Sequence, residues 1–275
     1  MKDTLSGNFA ACRWQFRPPQ AIRVVNWNID RGLRLPEVAD FLESQRADLI
    51  TLQEVDLNAK RTHYRNVAED LARRLRMNYV FGREFEELTQ GSRTSPAYHG
   101  QATLSPWRLR NARVIPFQAQ SGFWRPRWFL PRTAPFQERL GGRIALVTEV
   151  DITGMVFTVY NLHLESRGSD DLRLSQLKQT LDDAAKCARV GTALVAGDLN
   201  FDISEGPTAE LVRRAGFRNA LGQSHFYTRP ARLFGNPRSI DWVFVSGPVD
   251  ATQGQVDATV DASDHYPISF TLRTR

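Results

Sequence analysis

A chain of 275 residues with 41% apolar and 10% aromatic content can bury one sizeable core, and this composition excludes a disordered chain or a repeat array. The formal net charge of +6 favours an anionic partner: nucleic acid, an acidic membrane surface or a phosphorylated small molecule. Two cysteines, Cys12 and Cys187, exclude a framework of several disulfides. With no apolar run long enough for a signal peptide or a membrane span, a cytoplasmic protein is expected.

Residues 1–20 lack periodicity and end in Arg17-Pro18-Pro19, so they read as a leader or an edge-covering segment, followed by a single domain over 21–275. From Ile22 onward, short apolar runs end in polar clusters. Ile22 to Trp27 leads to Asn28 and Asp30, and Leu49 to Leu52 leads to Gln53 and Glu54. Met155 to Leu162 leads to His163 and Glu165, and Ala193 to Ala196 leads to Gly197, Asp198 and Asn200. Such runs read as buried strands. Pro36 with Val38, Phe41 and Leu42 marks a helix; Val67, Leu71 and Leu75 mark a second, and Leu174, Leu177 and Leu181 a third. Thr208 to Arg214, closed by Gly216, suggests a shorter fourth.

The segment 105–139 carries Trp107, Trp124 and Trp128 among Arg108, Arg110, Arg125, Arg127 and Arg132, with Pro126 and Pro131. It reads as a long ordered loop or flap. Arg143–Asp151 and Met155–Leu162 flank a Thr153-Gly154 turn, which argues for antiparallel pairing. Two sheets packed face to face with helices outside bury both element types most simply. The last two clusters reverse the order: Asp241 precedes Trp242 to Val245, and Asp264-His265 precedes Ile268 to Leu272. If these strands run antiparallel to the earlier ones, every cluster falls on one rim.

That rim collects Asn28, Asp30, Glu54, His163, Asp198, Asn200, Asp241, Asp264 and His265. Carboxylates and amides are hard oxygen donors suited to magnesium, with manganese as the alternative. No cysteine pair or His-Glu-x-x-His spacing favours zinc, and no Gly-x-Ser-x-Gly elbow or phosphate-binding glycine loop is present. Metal-assisted hydrolysis is the chemistry that fits. Each cluster alone has a plainer reading: a turn, a helix cap or a structural histidine. Six clusters with one relation to strands make that reading fail collectively.

Trp27-Asn28-Ile29-Asp30, Leu52-Gln53-Glu54-Val55, Asn161-Leu162-His163-Leu164, Gly197-Asp198-Leu199-Asn200, Ile240-Asp241-Trp242 and Ser263-Asp264-His265-Tyr266-Pro267 follow in this order. Together they resemble the endonuclease/exonuclease/phosphatase superfamily, which has the deoxyribonuclease I-like fold. The resemblance spans Ile22 to Leu272. It implies an α+β protein, a four-layer α/β/β/α sandwich of two mostly antiparallel sheets with helices outside. It implies Glu54 as principal metal ligand with Asn28, Asp30 and Asp264 in support, and a His265 held by Asp241. Asp198 and Asn200 would face the scissile phosphate, and His163 would bind a phosphate oxygen or assist the leaving group. Either His265 with Asp241 or Asp198 would take the proton from water.

Gly100-Gln101-Ala102-Thr103-Leu104-Ser105 departs from the family pattern, because Gln101 can hydrogen-bond to the first histidine but brings no charge. Arg61 and Asn66 are candidates to reach a substrate phosphate; His63 and His99 read as surface-loop residues. Trp124 and Arg125 are the flap residues expected to meet substrate. The expected activity is hydrolysis of a phosphate ester, foremost a nucleic-acid phosphodiester. A membrane lipid or small ester is the alternative, and a catalytically silent anion-binding module a more distant one. No obligate protein partner is expected.

Overall fold

Alternate residues of one strand must face opposite sides of its sheet, and both sides are apolar here. In the computed structural model, which describes residues 3–11, 19–125, 129–131, 136–188, 191–222, 226–231 and 235–274, this parity sets the architecture. Along β2 (Ala21–Arg31), Val25, Trp27 and Ile29 pack outward against helices, whereas Ile22 and Val24 face the second sheet. Along β10 (Thr192–Asp198), Ala193 and Val195 pack outward and Leu194 and Ala196 inward.

The first sheet joins β2 to β1 (Thr4–Asn8), β3 (Leu49–Leu57), β4 (Asn78–Glu87), β5 (Ala97–Ser105), β13 (Val249–Val256) and β14 (Ile268–Thr274). Its order is β1-β4-β5-β3-β2-β14-β13, with β7 (Arg139–Gly141) also on β4. The second sheet joins β10 to β6 (Arg108–Pro116), β8 (Ile144–Ile152), β9 (Met155–His163), β11 (Arg218–Asn219) and β12 (Asp241–Ser246), in the order β11-β12-β10-β9-β8-β6. One pair in each sheet is parallel, β2 with β3 and β10 with β9; the other pairings are antiparallel.

Helices α1 (Leu35–Gln45) and α2 (Val67–Leu75) cover the first sheet, and α3 (Asp170–Ala188) and α4 (Gly206–Arg214) the second. Pro36 opens α1 within its first turn, and the Asn66 side chain caps α2 by accepting from the Glu69 N–H at 3.2 Å. The result is the four-layer α/β/β/α sandwich. No helix among the described residues is long and apolar enough to cross a membrane.

Of the two readings of the first residues, the edge-covering one describes Thr4–Asn8, which forms β1 along the β4 edge. That covers an exposed ladder of backbone N–H and C=O groups. One reading of the sequence changes: the segment 105–139 is not one continuous flap, because residues 108–116 form β6 against β8. Trp107 is buried in the inter-sheet core. Pro126, Arg127, Trp128 and Arg132 lie outside the described residues, as does Cys12. Cys187 sits on α3, with its Sγ 3.3 Å from the Tyr160 hydroxyl.

Toward one end of the sandwich the inter-sheet layer turns from apolar to polar. Asn26 Oδ1 accepts from Thr51 Oγ1 at 2.9 Å and from Gln53 Nε2 at 2.9 Å; Gln53 Nε2 also reaches Asn161 Oδ1 at 2.7 Å. Asn161 Nδ2 returns to the Leu52 and Ala102 carbonyls at 3.0 and 2.9 Å. These buried amides tie the two sheets together where the core would otherwise lose its apolar contacts.

Candidate active site

Strand parity places the polar clusters. Asn28 continues the inward series Ile22, Val24, Asn26; His163 continues Phe157, Val159, Asn161; and Asp198 continues Leu194, Ala196. Asp241 lies at the near end of β12, inward like Val243 and Val245. Because β12 and β14 run antiparallel to β10 and β2, residues entering those strands meet residues leaving the others.

Glu54 has the wrong parity for this, since Ile50 and Leu52 of its strand face outward. A β-bulge corrects it: pairing with β5 shifts between Leu52 and Val55, and Glu54 takes φ 51°. Val55 then resumes the outward face. A left-handed conformation in a non-glycine residue is costly and is held by its surroundings. Asp30 (φ 42°) and Asn200 (φ 59°) share it. At Gly197 a Cβ would sit 2.0 Å from the Leu162 carbonyl oxygen, so the residue before Asp198 must be glycine.

Asp198 is the hub. Its Oδ2 accepts from Asn28 Nδ2 at 3.1 Å and lies 3.6 Å from both His163 Nε2 and His265 Nε2. The Asn200 N–H donates to Asp198 Oδ1 at 2.9 Å, while Asn200 Nδ2 is spent on the Leu164 carbonyl at 3.1 Å. His265 Nδ1 meets Asp241 Oδ2 at 2.8 Å, and the Trp27 indole fixes the His265 carbonyl at 2.8 Å. Asp198, Asp241, His163 and His265 are all buried.

Charge separates the two histidines. Burial alone would lower His265, but Asp241 and Asp198 raise it to about 9, so it is an imidazolium at neutral pH. His163 is lowered well below its ordinary value by burial and by Arg143, so it is neutral. Burial lifts Asp198 to about 6, partly offset by His265.

Glu54, Asp30, Asn28 and Asp264 supply oxygen donors from adjacent chain segments. Glu54 Oε1 accepts from Asn28 Nδ2 at 3.4 Å, and the Asp30 N–H donates to Asn28 Oδ1 at 3.2 Å. Burial would raise the Glu54 carboxyl, but His99, Arg31 and His265 hold it below the ordinary range. Burial raises Asp30 despite its partner Arg31. The Arg31 guanidinium pairs with Asp30 and lies 3.5 Å from Glu54 Oε2, so a positive group already occupies the space these carboxylates share. A hard divalent cation fits that donor set and that charge. Asp264 pairs with Arg229 at 2.6 Å, and its charge reaches both Asp30 and Glu54.

The remaining candidates have other partners. Gln101 is buried and donates to the Ile144 carbonyl at 3.3 Å. The acid facing His163 Nδ1 is Glu84 of β4, with Oε2 at 3.8 Å. Arg61 is clamped by Asp56 at 2.7 and 2.8 Å and by Glu87 at 3.3 Å, and Asn66 is the α2 cap already described. Trp124 is buried edge-on against Phe85 and Phe123, at centroid distances of 5.5 and 4.5 Å. Arg125 is exposed. His63 lies on the surface as expected, but His99 is 1% exposed and bonded to Asp56. The sequence singles out neither Arg31 nor Glu84, and it misplaces His99 on the surface. His99 sits beside the Gly100-Gln101 motif, which was a usable hint; Glu84 carries no motif.

With this geometry in place, comparison with known proteins is direct. The endonuclease/exonuclease/phosphatase family model matches residues 25–265. No curated protein sequence shows significant similarity. Among solved structures, an endonuclease/exonuclease/phosphatase from Beutenbergia cavernae superposes with TM-score 0.67 at 21% identity, covering 93% of this chain and 72% of that one. The human Nocturnin catalytic domain, solved with a sulfate anion, gives TM-score 0.66 at 19% identity over 99% and 97% of the two chains. TDP2 from Caenorhabditis elegans gives 0.63 at 19% identity over 92% and 74%. At such identities these structures speak for the fold, while the family match covers most of the sequence. The chain belongs to the endonuclease/exonuclease/phosphatase family.

Proposed function

We propose that this chain is a magnesium-dependent phosphodiesterase, with manganese as the alternative metal, that cleaves nucleic acid by in-line attack of water on phosphorus. The observation that carries the reading is Asp198, a buried carboxylate with one oxygen equidistant from a cationic and a neutral imidazole. A cation held by Glu54, Asp30, Asn28 and Asp264 would supply Lewis-acid stabilisation of the phosphoryl charge.

The chain's own groups account for the rest. Asp198, titrating near 6, is ionised at neutral pH and accepts the proton of the attacking water. His265 is already protonated, which removes it as the base and makes it a donor to a phosphoryl oxygen. Asp241 fixes its ring and tautomer. Neutral His163 hydrogen-bonds a phosphate oxygen through Nε2. As the water oxygen bonds to phosphorus, the ester P–O bond opposite it breaks, and the departing oxygen takes its proton from solvent. Asn200, with its amide nitrogen on Leu164, serves by shaping the turn after Asp198 and by whatever its carbonyl oxygen accepts.

The positive net charge and the neighbouring flap support a nucleic-acid ester. Buried Trp124 is a base for the flap, and the exposed rings are Phe123, Phe129 and Phe136, at 47%, 61% and 55%. Arg167, four residues beyond His163, lies 4.2 Å over Phe123. Rings beside arginines suit unpaired bases. The same phenylalanines also favour a second reading, a lipid phosphodiester at a membrane surface.

One panel tests both: single-stranded DNA, duplex DNA, RNA and sphingomyelin vesicles, each with magnesium, manganese or chelator. Cleavage of single-stranded nucleic acid that weakens steeply with salt is expected. Turnover confined to vesicles would replace the nucleic-acid reading with the lipid one. No turnover on any ester, with an anion still bound tightly, would sink the hydrolase reading.

A further inference from the structure

On the side of His163 away from Asp198, three strands deliver Glu84, His99 and His163, at 4%, 1% and 3% exposure. Each offers one ligand atom within 4.8 Å of the others. Glu84 Oε2 and His163 Nδ1 face one another at 3.8 Å, and neither has a hydrogen-bond partner. Buried polar groups are rarely left unsatisfied, so the pair calls for a species between them.

The groups around them are already fixed. Asp56 Oδ1 holds His99 Nδ1 at 2.9 Å, which leaves Nε2 as the available ring nitrogen, and Arg61 holds Asp56 in turn. A carboxylate on one imidazole nitrogen, with the other nitrogen available, is the arrangement that orients histidine ligands. Arg143 fixes the other Glu84 oxygen at 2.8 Å. Four carboxylates in this layer, Asp56, Glu84, Glu87 and Glu165, are paired with three guanidinium groups, Arg61, Arg139 and Arg143. A cleft of about 370 Å³ is lined in part by Glu84, Gln120 and Arg143.

We propose that Glu84, His99 and His163 form a second cation site, selective for a zinc-class transition metal because two of its three donors are imidazole nitrogens. The Glu54 site offers oxygen donors and suits magnesium, so the two sites take different metals. His163 joins them: Nδ1 serves the inner ion, and Nε2 stays 3.6 Å from Asp198. An occupied inner site locks that ring in one orientation and bars a second proton from it.

The experiment is titration of Co2+ into the full chain with magnesium in large excess, read by ligand-field absorption. X-ray absorption of the zinc-loaded protein under the same magnesium counts its imidazole ligands. One equivalent of cobalt, two imidazoles, and an affinity at least tenfold weaker in both Glu84→Gln and His99→Ala are expected, with Glu54→Gln unchanged. Displacement of cobalt by magnesium, fewer than two imidazoles, or loss of binding in Glu54→Gln would each overturn the proposal. The wild-type competition and ligand count decide the matter even if His99→Ala does not fold.

Discussion

His163 divides two polar regions that look alike in composition and differ in physics. On its Nε2 side stand Asp198, Glu54 and His265, where oxygen donors meet a rim open enough to leave Glu54 20% and Asp30 28% exposed. On its Nδ1 side stand Glu84, His99 and Arg143, each at 4% exposure or less and tied to further buried charges. At Glu54 and Asp30 the first region can exchange partners with solvent, as the proposed substrate site must. The second does so only at a cost, so an ion proposed to sit between its groups would serve orientation and stability. Proximity to the histidine proposed as catalytic therefore does not by itself make a residue catalytic.

The largest effect that can break this contrast lies on the open side. Asp198→Asn removes the proposed base and, with one acceptor oxygen, keeps one of the Asn28 and Asn200 contacts, so kcat should fall about 10²–10⁴-fold. Glu54→Gln should produce a comparable loss, and chelator should mimic it in the wild type. Both variants should melt within a few degrees of the parent. A variant that lost its fold along with its activity would erase the distinction between the two regions.

On the closed side the expected effect is on stability. Arg143→Met strands the Glu84 carboxylate, which is already pushed up by burial despite Arg143. Breaking a buried pair from one end costs about 3–5 kcal/mol. Chemical denaturation should show that loss, and an unchanged midpoint would show that the layer is wetter than its burial indicates.

Next in size is the pH dependence. Asp198 has its pKa raised from 3.8 to about 6 and His265 from 6.5 to about 9. Activity should rise as pH passes through about 6, where Asp198 ionises, and fall through about 9, where His265 loses its proton. Stability has its own signs. The raised His265 contributes stability in full below 6.5 and loses it as pH climbs through about 9. The raised Asp198 costs stability once pH exceeds 3.8, and the cost is complete above about 6. Asp241→Asn should pull the alkaline limb downward. A limb that stayed near 9 would assign it to another group.

The same contrast explains what could be read from sequence. Asn28, His163, Asp198 and Asp241 follow from strand parity alone, because each extends an inward-facing apolar series. Glu54 was recognised by motif, but its geometry depends on a bulge that alternation does not encode. Glu84 was illegible for a different reason. Its strand joins β5 through a register shift between Arg83 and Phe85, and the glutamate meets His163 across the gap between sheets. Arg61 and Asn66 looked like phosphate contacts because they follow Glu54 closely in sequence. A 3-10 turn at Lys60–Thr62 and the α2 cap direct them to structural partners instead.

The smallest effect tests the boundary of the open region. Arg31, at φ 67° and 30% side-chain exposure, places its guanidinium against Asp30 and within 3.5 Å of Glu54. A cation seated there competes with a metal for the same oxygens and also neutralises the charge that attracts it. Both effects have one sign, so Arg31→Gln should tighten metal binding. Partly exposed ion pairs are worth about 0.2–1 kcal/mol, which corresponds to about one- to fivefold in affinity. Manganese titration followed by electron paramagnetic resonance resolves the upper half of that range. Weaker binding in the variant would mean that Arg31 organises the carboxylates instead of competing for them, and the open region would then extend one residue further along β2.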